Sequence, residues 1–258
     1  MVTDVKVLKE EANCLVKQLF GGDPEKQAAV SDWLFDLCSK AAEKDFLLIH
    51  NPGGWGSTSL DHLLQWERSI VEGVDNTIGE LGYSSLLIQY FRSGNGWLEI
   101  ARDVGEQKRF FVNKSKIMAS ELKFILKHLD NLQVIIIGVS QGAAFSNAVT
   151  QQLNGEKRVY NIELGTPFFH KSRRVINERT LALDSNGLMP DALMGWNVPV
   201  ILKAYLAAPF RWLKYRLQGK RVKFTYCINL PGHDYNWDYP EVRGHVADFL
   251  KQRIGTKR

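Results

Sequence analysis

Cysteine is scarce in this sequence. The 258 residues include only Cys14, Cys38 and Cys227, and no Cys-x-x-Cys pair is present. An odd and scattered set of cysteines does not make a disulfide framework, and it lacks the ligand spacing of a zinc site. We therefore expect three reduced thiols, no metal centre and a cytoplasmic protein.

Long apolar runs are also absent. Charged residues interrupt the first 20 residues every few positions, unlike the apolar region of a secretory signal or a membrane span. No later stretch reaches the apolar length of a transmembrane helix. With 45% hydrophobic and 24% charged residues, the composition is that of an ordinary globular protein and excludes a disordered or fibrous chain.

One stretch, residues 203–223, lacks acidic residues altogether. It carries seven basic residues: Lys203, Arg211, Lys214, Arg216, Lys220, Arg221 and Lys223. The whole chain has a net charge of +5, and subtracting these seven leaves −2 for the rest. The positive charge is therefore a local patch and does not indicate a nucleic-acid-binding protein.

Short apolar runs alternate along the chain with helical patterns. The runs lie at 45–50, 85–91, 134–139, 159–164, 180–183 and 222–230, and the helical patterns at 58–80, 112–130, 141–153, 190–218 and 240–253. This alternation predicts an α/β fold with a mostly parallel central sheet and helices on both faces. Helices also fit residues 1–44, and we expect a single domain over residues 1–258.

The sequence Gly-Val-Ser-Gln-Gly, residues 138–142, follows the strongest predicted strand and begins a helix. This is the G-x-S-x-G pattern in the context of strand, sharp turn and helix. Small residues on both sides let the strand and the helix approach closely. The hydroxyl is then exposed at a helix N-terminus, where the helix dipole favours negative charge. The pattern predicts Ser140 as a nucleophile.

At this motif the sequence resembles the α/β-hydrolase superfamily, in particular its serine esterases and lipase-like members. The resemblance covers residues 45–253. It rests on HNPGGWG at 50–56, the serine motif, Gly-Thr-Pro at 165–167 and GHDYNWDYPEVRGHVADFL at 232–250. It implies a catalytic triad in the order serine, acid, histidine, an oxyanion hole built from backbone amides, and no cofactor.

The histidine of the triad is predicted to be His233. It follows the last predicted strand through a Pro-Gly loop, from which an imidazole can reach the serine. The rival His245 lies within the last helical pattern and is expected to be structural. Three residues compete as the acid: Asp184 at a strand end is the first choice, Asp191 lies further on, and the superfamily pattern falls on Asn186.

The oxyanion hole needs two N–H donors directed at one point. The resemblance assigns the first to Gln141, the residue after the nucleophile. The second comes from the loop after the first strand, where Pro52 has no N–H. The donor is therefore expected at Gly53, Gly54 or Trp55, unless this Gly-Gly pair forms only a turn.

The segment 188–220 mixes aromatic, aliphatic and basic residues. One interpretation is a helix that packs its apolar face on the sheet and is broken at Pro209. The other is a lid or cap whose basic residues, within 203–223, make peripheral contact with a membrane.

Together these features predict a serine hydrolase without a metal or organic cofactor. It would cleave a small-molecule carboxylic ester or thioester with an apolar acyl group, including a lipid, through an acyl-enzyme at Ser140. The alternative is a non-catalytic module of the same fold that binds a ligand or a partner protein, which the undecided acid and Pro52 favour.

Overall fold

A five-stranded, all-parallel sheet forms the centre of the computed structural model, which describes residues 5–94, 96–220, 222 and 224–257. The strands are β1 (Phe46–Asn51), β2 (Ser85–Gln89), β3 (Gln133–Val139), β4 (Val159–Leu164) and β5 (Thr180–Leu183). Their order across the sheet is β2-β1-β3-β4-β5. The predicted α/β class with a parallel sheet is confirmed.

Helices cover both faces of this sheet. The described helices are α1 (Val5–Phe20), α2 (Pro24–Ala41), α3 (Gln65–Glu80), α4 (Trp97–Lys108), α5 (Val112–His128), α6 (Gln141–Gln152), α7 (Val198–Leu217) and α8 (Pro240–Ile254), and those that contribute to the cores of the sheet are α1, α2, α3, α5, α6 and α8. Side chains alternate along β1, so that Leu47 and Ile49 join a core with α1, α2, α5 and α6. Phe46 and Leu48 join a second core, with α3 and α8, on the opposite face. The central strands are thus apolar on both sides, which explains their continuous apolar runs.

The sixth predicted strand, at 222–230, is wrong. Arg221 and Lys223 lie outside the described residues. In the described part of this segment the chain instead forms a short 3₁₀ helix, Phe224–Cys227, and no strand. The backbone carbonyl of Cys227 accepts a hydrogen bond from Arg211 Nη1 at 3.1 Å. This hydrogen bond ties the segment to α7, its main neighbour, and not to β5.

Two further elements differ from the sequence prediction. Helix α4 was not predicted from the sequence. Helix α7 begins after an N-cap at Asn197 and runs through Pro209 without a break. Proline at position 209 has no N–H to donate to the carbonyl of Tyr205, four residues earlier. Both residues are exposed, so water can donate to this carbonyl instead.

Helix α7 does not cover the sheet as the first interpretation of segment 188–220 expected. Its buried residues are Ala204 and Ala208, and its main neighbour is the 3₁₀ helix Phe224–Cys227. Neither alanine belongs to the two cores of the sheet. None of the described helices combines the length and the apolarity needed to cross a membrane.

The close contact between β3 and α6 depends on Gly138. A Cβ atom at this position would lie 2.6 Å from Ala143 Cα and 2.7 Å from the Gly142 carbonyl oxygen, both backbone atoms that cannot move aside. Gly138→Ala should therefore destabilise the fold by about 1–3 kcal/mol, the usual cost of overpacking. Urea unfolding at equilibrium measures this change.

Gly244 in α8 provides the matched control, because a Cβ atom there has no neighbour within 4 Å. Gly244→Ala should stabilise the protein by up to about 1 kcal/mol through helix propensity alone. Equal stability of the two variants would contradict the close packing at Gly138.

Candidate active site

Ser140 lies in the sharp turn between β3 and α6. Its backbone has φ 53° and ψ −120°, a left-handed conformation that is strained for any residue except glycine. The strain is held in place because the Ser140 N–H donates to the Leu164 carbonyl at 2.8 Å. A side chain at Gly142 would overlap the Asn51 carbonyl, so both glycines of the motif are required by packing. The side chain of Ser140 is half-buried.

The parallel register brings His233 to the same edge of the sheet. Val139 pairs with Leu164, so Ser140 and Gly165 are the residues that directly follow the paired ends of β3 and β4. Gly165 has φ 62°, and a Cβ atom there would lie 2.8 Å from His233 Cε1. The imidazole therefore rests against Gly165.

The loop that carries His233 is fixed to the segment containing Asp191. The Ala192 N–H donates to the Pro231 carbonyl at 3.0 Å. Gly232, at φ 75°, approaches Asp191 so closely that a Cβ atom would lie 2.9 Å from Asp191 Cα. The Pro-Gly pair before the histidine thus sets its position relative to the acid.

Asp191 is the acid that contacts His233. Its Oδ2 lies 2.7 Å from His233 Nδ1 and accepts a second hydrogen bond, 2.8 Å long, from the Tyr235 hydroxyl. Its Oδ1 accepts from the backbone N–H groups of Leu193 and Met194. Burial by itself would raise the pKa of this carboxyl, but the hydrogen bonds outweigh burial and leave the pKa below its ordinary value. Asp191 is therefore a carboxylate at neutral pH.

The expectation that Asp184 orients His233 is corrected by this geometry. Asp184 pairs with Arg174 Nη1 at 2.6 Å and lies 3.8 Å from Lys171 Nζ. The reason is the alternation of side chains at the end of β5: Leu183 joins the core on the α3 and α8 face, so Asp184 points to the other face.

Asn186 is not the partner of His233 either. Its side-chain N–H group donates to Asp234 Oδ1 at 3.0 Å, and its side-chain oxygen accepts from the backbone N–H groups of Leu188 and Met189. This amide closes the turn before Asp191 and does not contact the imidazole.

The loop after β1 lies beside the serine, but one of its predicted donors is occupied. A Cβ atom at Gly53 would lie 3.6 Å from Ser140 Cβ. The Gly53 N–H donates to Glu67 Oε1 at 3.1 Å and so is not available to an oxyanion. Within the part of the chain that the structure describes, the N–H groups of Gly54 and Trp55 have no hydrogen-bond acceptor. Gln141 begins α6, where the first N–H groups have no partner within the helix.

Arg92 and Glu67 hold this loop, and the sequence did not assign a role to either. Arg92 is 4% exposed, and its guanidinium donates to the carbonyls of Pro52 at 2.6 Å and Gly54 at 2.8 Å. Burial lowers the pKa of Arg92 to about 10, so it stays protonated at neutral pH. Glu67 Oε1 also lies 3.2 Å from His50 Nε2. Arg92 lies three residues after the end of β2, in a loop where ligand-binding residues are expected, whereas Glu67 inside α3 has no such signal.

His245, the rival histidine, lies on the exposed surface of α8. Its side chain is 56% exposed, and its Nε2 is 3.7 Å from Glu241 one turn earlier. The structure thus joins His233 to Asp191 and places the imidazole against Gly165, at the edge of the sheet where β3 leads into Ser140; the chain order is serine, acid, histidine. A parallel sheet, a strained serine between strand and helix, and this order are the architecture of the α/β-hydrolase fold.

Comparisons with known proteins found similarity among solved structures. No protein-family model and no curated protein matches the sequence. Among solved structures, the chain is similar to a Trichoderma reesei cutinase in complex with a C11Y4 phosphonate inhibitor, with 13% identity and a TM-score of 0.48. The match covers 94% of this chain and 99% of the cutinase chain. At this level of similarity no activity carries over, and the site is assigned from its own geometry.

Replacement of Asp191 by asparagine tests the assignment of the acid. An amide at this position no longer stabilises the imidazolium that forms during catalysis. Asp191→Asn should therefore lower turnover of an activated ester by up to about ten-thousand-fold, the scale of this change in a serine protease. Asp184→Asn is the control and should leave turnover within a few fold. The reverse order of effects would return the role to Asp184.

Arg92→Lys tests whether the guanidinium positions the oxyanion loop. A lysine cannot donate to two carbonyls in the fixed planar geometry of a guanidinium. Loss of one oxyanion donor lowers kcat by about 10²–10³-fold. We therefore expect Arg92→Lys to lower kcat by up to about a hundredfold with little change in KM. Arg158→Lys is a matched control, because Arg158 Nη1 also donates to backbone carbonyls, those of Leu126, Leu129 and Asp130. Steady-state kinetics should show a loss only in the first variant. Equal kinetics in both would mean that Arg92 is structural.

Proposed function

We propose that the protein is a serine hydrolase that cleaves carboxylic esters or thioesters through an acyl-enzyme at Ser140. The observation that carries this proposal is the 2.7 Å contact between Asp191 Oδ2 and His233 Nδ1, made beside a serine with strained backbone. An ionised carboxylate at Nδ1 leaves Nε2 as the nitrogen that can accept a proton from the serine hydroxyl.

In this mechanism Ser140 Oγ attacks the ester carbonyl carbon while His233 takes the hydroxyl proton. The carbonyl oxygen becomes an oxyanion, and the N–H groups of Gln141 and of Gly54 or Trp55 donate to it. When the tetrahedral intermediate collapses, the leaving alcohol or thiol takes the proton from His233. Water then attacks the acyl-enzyme, with His233 as base, and releases the carboxylic acid and the free serine.

An apolar acyl group fits the surface around this site. Exposed apolar side chains belong to the loop after β1 and to the segment around Asp191: Trp55, Leu188, Met189 and Trp196. Phe169, in the segment after β4, is also exposed, and Trp196 packs on its neighbour Phe168 in a tilted arrangement with ring centroids 3.7 Å apart. Solvent-exposed apolar surface around a polar reaction centre favours a substrate with a hydrocarbon chain, including a lipid.

Two features favoured a non-catalytic module: the undecided acid and Pro52, which has no N–H. In the proposed mechanism another group takes the place of each. Asp191 supplies the carboxylate that Asn186 lacks, and the N–H groups of Gly54 and Trp55 supply the donor that Pro52 lacks. A cytoplasmic location stays a prediction. Contact with a membrane is a separate proposal, because it concerns α7 and not the triad.

Covalent labelling tests the proposed nucleophile. A fluorophosphonate should react with Ser140, and Ser140→Ala should abolish the labelling, because the alanine has no oxygen to attack phosphorus. Intact-mass spectrometry measures the adduct, and circular dichroism shows that the variant is folded. Labelling that persists in Ser140→Ala would overturn the assignment.

The histidines provide an internal control for the same assay. His233→Ala should slow labelling and turnover by several powers of ten, because members of a triad act as a unit. His245→Ala should leave both unchanged, because that side chain is exposed on α8.

A further inference from the structure

The outward face of α7 is apolar. The helix is attached to the rest of the protein through Ala204 and Ala208, while large apolar side chains point to solvent. The most exposed are Leu206 (63%), Phe210 (76%) and Leu217 (81%), with Leu202 and Leu213 more than half exposed. An ordinary surface helix shows the opposite arrangement, with polar residues outward. A contiguous apolar stripe of this kind marks an interaction surface.

The spacing of these residues makes them a single stripe. At 3.6 residues per turn, Leu202, Leu206 and Leu213 lie within about 40° of one another around the helix. Pro209 and Leu217 lie within about 40° of the centre of this group, and buried Ala204 and Ala208 lie on the opposite side. We name residues 202, 206, 209, 210, 213 and 217 the α7 stripe.

Basic residues border the stripe on both sides. By the same geometry, Lys203 and Lys214 lie about 80–100° from its centre on one side, and Arg216 lies about 60° away on the other. All three are exposed, and α7 contains no acidic residue. Lys220 lies three residues after the end of the helix. Arg221 and Lys223, which contribute to the charge of 203–223, lie outside the described residues.

We propose that the α7 stripe is a docking surface for an anionic lipid bilayer, on which α7 lies in the plane of the interface. The apolar side chains would enter the boundary between headgroups and acyl chains, and the flanking lysines and arginine would meet lipid phosphates and carboxylates. This geometry does not require a membrane span, which none of the described helices could provide.

The charge distribution favours a lipid surface over a second copy of this chain. A symmetric dimer through α7 would bring like charges on Lys203, Lys214 and Arg216 of each copy close to one another, with no acid in the helix to neutralise them. An anionic bilayer neutralises all of them at once. The proposal does not depend on hydrolysis by Ser140, because no residue of the triad belongs to α7.

Vesicle flotation tests the proposal. The purified protein is mixed with vesicles of phosphatidylcholine alone, or of phosphatidylcholine with phosphatidylserine, at low and at high salt. We expect binding to the anionic vesicles at low salt, at least tenfold weaker binding at high salt, and little binding to neutral vesicles, because salt screens the attraction between charges.

Variants separate the apolar and the electrostatic contributions. Leu206→Glu with Phe210→Glu should weaken binding at least tenfold, and Lys203→Glu with Lys214→Glu should do the same. Ile176→Glu is the matched control, because Ile176 is 62% exposed but lies outside α7. Hydrolysis of a short, water-soluble ester should be unchanged in all of these variants, and Ser140→Ala should still bind vesicles.

Each remaining outcome overturns the proposal. Absence of binding to anionic vesicles at low salt removes the lipid surface as the occupant. Binding that survives both double variants places the contact elsewhere. A wild-type dimer in light scattering that becomes a monomer in Leu206→Glu with Phe210→Glu would show that α7 contacts a second copy instead.

Discussion

The buried carboxylate of Asp191 is the group on which the arrangement of the active site depends. It is 2% exposed, and removing a charge this completely from water is unfavourable unless hydrogen bonds replace the water. Four groups do so: the imidazole of His233, the hydroxyl of Tyr235 and the N–H groups of Leu193 and Met194. These donors come from two segments distant in sequence. Satisfying one carboxylate therefore also fixes the histidine loop against the segment after β5.

The sequence contained enough information for the centre of the fold and for the serine. Five strands were predicted from continuous apolar runs, which arise because both faces of the sheet are covered. The turn at Ser140 was also predictable, because its requirements fall on residues next to it in the sequence. Its flanking glycines meet backbone atoms, and no other residue fits in that space. Where packing between residues close in sequence requires a particular residue type, the sequence pattern predicts the structure.

The acid and the oxyanion loop were less predictable because their partners are distant in sequence. Asp184 lies at a strand end as expected. Because side chains alternate along β5, it points to the other face and pairs with Arg174, ten residues earlier. Glu67, within α3, accepts a hydrogen bond from the Gly53 N–H, and no local sequence pattern predicts this contact. The strand expected at 222–230 also depended on distant partners, because the described part of this segment packs against α7 and not beside β5.

The weak attachment of α7 has a consequence for local stability. Protein segments with few buried apolar contacts open independently of the global unfolding reaction, at a lower free energy. With Ala204 and Ala208 as its buried residues, α7 can lose its hydrogen-bonded turns while the sheet and its two cores remain intact. Its amide protons then exchange with solvent earlier than those of the central strands, and a protease cuts there first. The stability of this helix therefore depends less on the two cores than that of the central strands.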